Sequence, residues 1–111
     1  MQGTFLGKIE SATFGIFEGR IGISFILAFS HLEIGDYSKT TWDPEQVKIT
    51  QYTKWTEADR DAKLIKIMRY ISKLLADAKV DDVTKLAGKP IELVINEYDS
   101  LESWRILTEV L

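Results

Sequence analysis

The chain contains no cysteine, so a disulfide, a thiolate zinc site and a cysteine nucleophile are all closed to it. Histidine occurs once, at His31, and any imidazole acid–base scheme would rest on that side chain alone. No apolar run approaches the roughly 18 residues of a membrane span, and no basic segment followed by an apolar one marks a secretory signal, so a cytoplasmic protein with no membrane partner is expected. Positive charge is not in excess: 17 acidic against 14 basic residues give a net charge of -3 and no global pull toward nucleic acid. With two prolines, 111 residues and no linker, repeat or low-complexity stretch, one domain over residues 1–111 is expected.

What is present is periodicity. Leu64, Ile67, Met68, Ile71, Leu74, Leu75 and Ala78 recur at steps of three and four, which predicts an amphipathic helix from Thr56 to Lys79. Arg60, Lys63, Lys66, Arg69, Lys73 and Asp77 fall on its wet side. Thr56 with Asp59 three residues on reads as an N-cap, and the acids Glu57, Asp59 and Asp61 suit the positive end of the helix dipole.

The flanks alternate in steps of two instead. Before the helix, three strands are expected near 2–10, 13–18 and 20–30, with a bend at Ser11–Thr13 and a tight turn at Glu18-Gly19. His31 to Trp55 breaks the pattern with turn formers such as Gly35, Asp36, Asp43 and Pro44, and reads as a long loop in which Asp43-Pro44-Glu45 can start one helical turn. After the helix, Asp81 to Leu86 reads as a short second helix ended at Gly88, followed by a hairpin of Ile91–Ile95 and a last strand, Trp104 to Val110, that runs to the terminus. The predicted fold is α+β: a single antiparallel sheet of about five strands, in the order β-β-β-α-short α-β-β, with the long helix packed across one face.

The richest candidate site is the loop. Tyr37, Trp42, Tyr52 and Trp55 beside Lys39, Lys48 and Lys54 combine flat stacking surfaces with positive charge, as a nucleobase carrying a phosphate requires. Arg20 and Arg105 can extend such a phosphate-binding edge, or pair with nearby carboxylates such as Glu18 and Glu109. Trp42 and Trp55 can equally cap the core. Asp36, Asp43 and Glu45 carry the residue types of a hard-metal site but match no calcium-loop spacing, and turn formation accounts for them; Asp81 and Asp82 are accounted for by capping. The glycines at 3, 7, 15, 19 and 22 lack the strand-to-helix context of a phosphate loop and mark bends in twisted strands. No cofactor is expected.

The segments Gly88-Lys-Pro-Ile-Glu-Leu93 and Ser103-Trp-Arg-Ile-Leu-Thr-Glu-Val110, with the Trp55-Thr-Glu-Ala-Asp-Arg60 opening of the helix, resemble small proteins encoded by tailed phages and prophages. The resemblance is loose over the whole chain and good over the last hairpin. It implies a phage origin and an accessory role, such as inhibition of host immunity, sequestration of a nucleotide signal or help in DNA recombination, and it carries over no functional residue. The expectation is a non-enzymatic binding protein with an anti-defence role, its partner a small nucleotide-like ligand or a host immune protein. Single-stranded nucleic acid binding is the alternative, and a structural oligomer subunit the second alternative. Exposed strand edges that need covering predict a homo-oligomer.

Overall fold

A one-residue bulge organises the sheet. In the computed structural model, which describes residues 1–45, 48–49 and 54–111, β1 (Gly3–Phe17) is one strand of 15 residues where the spacing predicts two. Its register on β2 (Arg20–Phe29) steps from Ile9↔Leu27 to Ser11↔Ile26, so Glu10 is the extra residue. An extra residue reverses the side-chain parity of everything after it. Phe5, Gly7 and Ile9 therefore share a face with Ala12, Phe14 and Ile16, and the apparent bend at Ser11–Thr13 is this change of phase within a single strand.

The sheet runs β3-β2-β1-β7-β8, all antiparallel, with β3 (Leu32–Asp36), β7 (Pro90–Ile95) and β8 (Leu101–Ile106). A sixth strand, β4 (Thr41–Trp42), pairs with Ile21 and Gly22 on the same edge of β2 that β3 occupies further along. The stretch expected as a loop therefore supplies two strands to the main sheet. Lys48–Ile49 (β5) and Lys54–Trp55 (β6) form a separate two-stranded ribbon. At the β1–β2 turn both Glu18 and Gly19 have positive φ, the backbone that a two-residue hairpin with matching twist requires.

The helix α1 (Glu57–Ala78) begins as its sequence predicts. Thr56 Oγ1 accepts from the Asp59 N–H at 3.3 Å while the Thr56 N–H donates to Asp59 Oδ2 at 2.9 Å, which satisfies two donors that the first turn leaves without partners. Lys79 closes it in the left-handed conformation. Ile67, Ile71, Leu74 and Ala78 are buried against the sheet, whose Ile9, Ile23, Phe25, Leu27, Ile91 and Leu93 are fully inaccessible. Met68, expected in the buried stripe, is 58% exposed, because it lies about a quarter-turn from Ile67 on a helix of 3.6 residues per turn. Asp82, not Asp81, caps the following 3₁₀ turn Val83–Leu86 by accepting from the Thr84 N–H, and Asp81 pairs with Lys85. The last strand stops at Ile106: the Leu107 N–H turns back to the Pro90 carbonyl, and Thr108–Val110 forms a 3₁₀ turn.

The sheet is strongly curled. Trp104 on β8 stands edge-on to Phe25 on β2, with ring centroids 5.2 Å apart, and its indole N–H reaches Asp36 on β3. Residues at the two ends of the strand order thus meet over the concave face.

Candidate functional site

The bulge and the hairpin together build an apolar arm. Phe14 and Ile16 on β1, with Ile21 on β2, lie on the face that forms the core elsewhere, since Phe14 pairs with the buried Ile23 and Ile16 with Ile21. Yet Phe14 is 60% exposed, Ile16 74% and Ile21 37%, because the arm runs past the cover of α1. Covering side chains of this size is worth roughly 1.5–3 kcal/mol each, so the arm is a candidate docking surface.

The backbone of the arm is equally open. β7 pairs with β1 only from Gly3 to Lys8, and the next main-chain groups, those of Ile9, are taken by Gly88 and Lys89. From Thr13 to Phe17, β1 has β2 on one side and, among the described residues, no strand on the other. The exposed Phe14 and Ile16 therefore lie within a five-residue stretch whose second edge carries no strand among the described residues.

The loop aromatics are dispersed into different tasks. Trp42 is half-buried against the core; its Nε1–H donates to the Arg60 carbonyl at 2.8 Å, and the Arg60 guanidinium lies 5.9 Å from its ring centre. Arg60 also donates to the Pro44 carbonyl at 2.9 Å, so this tryptophan pins β4 to the first turn of α1 and leaves little ring face for a base. Tyr37 packs on Phe17 with ring centroids 4.5 Å apart, and Arg20 stands opposite Phe17 in the β1–β2 register. Lys39 is exposed in the same loop. Trp55 is half-buried in the β5–β6 ribbon beside the exposed Lys54, and its indole N–H has no acceptor among the described residues. Tyr52 lies outside the described residues.

Arg105 belongs elsewhere. It sits on β8, at the far end of the strand order from β3, and holds Glu109 through two hydrogen bonds of 2.9 and 2.8 Å and Glu92 through one of 3.3 Å. Those bonds, with the guanidinium charge, hold the Glu109 carboxyl down to about 2. Its donors are spent on carboxylates, whereas Arg20 stands opposite Phe17 of the Phe17–Tyr37 pair and Lys39 follows Tyr37 in the same loop. His31 is exposed in the β2–β3 turn.

The acids are separated as well. Asp43 accepts from the Glu45 N–H at 2.9 Å as a turn residue, and Asp36 is buried under Trp104. Among the described residues no group of three or more histidines and carboxylates is placed to hold a metal ion, and no helix is long and apolar enough to cross a membrane.

The strands expected at 13–18 and 20–30 contain Phe14, Ile16 and Ile21, but the sequence does not show that these side chains stay exposed. The signal is there in the alternation; what it lacks is where the helix cover ends. No family model matches the chain, and neither a curated protein nor a solved structure shows significant similarity to it.

Proposed function

We propose that the chain is a non-enzymatic binding protein that holds another protein by accepting an extended segment along the free edge of β1. The observation that carries this reading is the coincidence of exposed Phe14 and Ile16 with a strand edge, Thr13 to Phe17, that has no partner strand among the described residues. A partner strand laid there gains main-chain hydrogen bonds, while its alternate apolar side chains cover the arm. The resemblance to phage accessory proteins directs the reading toward a host immune protein as the partner and the host cytoplasm as the place of action. A second copy of this chain suits the same edge, since antiparallel pairing of one strand with itself has two-fold symmetry, and this favours the homo-oligomer as the second reading.

Quantitative affinity capture from immune-active host cells, run in parallel with wild-type protein and with Ile16→Lys, tests the proposal. A partner whose recovery falls about tenfold or more with the lysine, as loss of one well-covered anchor predicts, supports it. Recovery that ignores Ile16→Lys while falling with Tyr37→Ala or Arg20→Ala would replace it by ligand binding beside Phe17. A thermal shift with nucleotides abolished by the same two substitutions would identify that ligand as nucleotide-like.

A further inference from the structure

Away from the arm, the curl of the sheet leaves a cavity of about 230 Å³ lined by Phe29, Leu32, Ile34 and Ile95, together with Met1, Glu33 and Asp99. Its floor is apolar: Phe29 is 6% exposed and Ile95 3%. Its rim carries the exposed Glu33 and Asp99 with the Met1 ammonium, which pairs with Asp99 and leaves the Glu33 carboxylate in excess. The cavity brings the paired strands β2 and β3 together with the end of β7, which β1 separates from them in the strand order.

We infer that this cavity binds a primary alkylammonium group, with its alkyl stem on Phe29, Ile34 and Ile95 and its ammonium on the carboxylate of Glu33. Three observations converge on that chemistry. The cavity is smaller than the roughly 300–1,000 Å³ typical of drug-sized ligands, which suits a short chain and not a nucleotide. Its charged groups are the Glu33 carboxylate and the Met1–Asp99 ion pair, a net negative charge that repels phosphates and attracts a cation. Asp99 is already paired, with the Met1 ammonium, while among the described residues Glu33 forms no ion pair. An apolar pocket edged by an unpaired carboxylate selects a ligand that is greasy along its length and positive at one end. A free alkylamine and the lysine side chain of another protein both meet that description. The site is independent of the β1 edge.

The test is a titration of methyl-labelled protein, read at the Ile34 and Ile95 resonances, with n-pentylammonium, 1-pentanol, pentanoate and the lysine mimic Nα-acetyl-lysine methylamide. The expected result is saturable shifts with pentylammonium at an affinity about tenfold or more above pentanol, the difference that one charge-assisted contact supplies, and none with pentanoate. Glu33→Gln, which leaves the Met1–Asp99 pair in place, should abolish the preference for amine over alcohol. Tighter binding of the lysine mimic than of pentylammonium would assign the site to a protein side chain, and the reverse to a free amine. Equal binding of amine and alcohol, or Ile34 and Ile95 resonances that no probe moves, would overturn the inference.

Discussion

Trp104 Nε1 donates to Asp36 Oδ2 across 2.6 Å, and the two residues belong to β8 and β3, the strands at opposite ends of the same sheet. This bond ties the curl together over Phe25 and satisfies a carboxylate that is only 9% exposed. Trp104→Phe keeps an aromatic ring against Phe25 but strands the buried carboxylate, so it should destabilise the protein by about 1–3 kcal/mol in urea unfolding. Adding Asp36→Leu should recover part of that loss, because removing both partners leaves no orphaned polar group.

Tyr70 on α1 reports on the same junction. It shares the wall of a small cavity with Trp104, and its phenol is pushed up to about 12, first by burial and then by the negative charge of Asp36. A folded pKa above the ordinary 10.0 means that the folded state holds the proton more tightly; the stabilisation is complete below pH 10 and is lost as pH rises through about 12. Spectrophotometric titration should show a phenol that ionises well above pH 10. Asp36→Asn should lower its pKa while leaving it above 10.0, because burial is the larger cause.

Gly22 is the point where β4 crosses onto β2. Its φ of +155° suits glycine, and a Cβ there would collide with the Thr40 carbonyl, whose oxygen accepts from the Ile23 N–H at 3.0 Å. Gly22→Ala should cost about 1–3 kcal/mol from backbone strain alone, and more from the displaced carbonyl. Gly15→Ala, with no atom within 4 Å of the added methyl, is the control; its melting temperature should stay close to that of the parent.

How far the chain could be read from its residues follows from the range of each interaction. The helix and its Thr56–Asp59 box were legible because period and cap are set within a few neighbouring residues. β1 was split because a bulge at Glu10 reverses parity and a strict alternation cannot carry across it. β3 was hidden because Gly35 and Asp36 look like turn formers, and Asp36 acquires its role only from Trp104, 68 residues away. The same limit applied to function: Trp42 and Arg105 were named for their chemistry, whereas their partners Arg60, Glu92 and Glu109 decide what chemistry is left to offer. Phe14 and Ile16 were legible as apolar strand residues, but their exposure depends on a tertiary fact, the place where α1 stops covering the sheet.

The claim that β1 is a docking edge is tested most directly by amide hydrogen exchange. The measurement compares the protein alone with the protein saturated by its captured partner or, for self-association, dilute with concentrated samples. The account predicts slower exchange within Thr13–Phe17 on binding, with Tyr37–Trp42 unchanged, because a strand added to that edge protects its main-chain donors. Protection confined to Tyr37–Trp42, with Thr13–Phe17 exchanging as in the free protein, would contradict it.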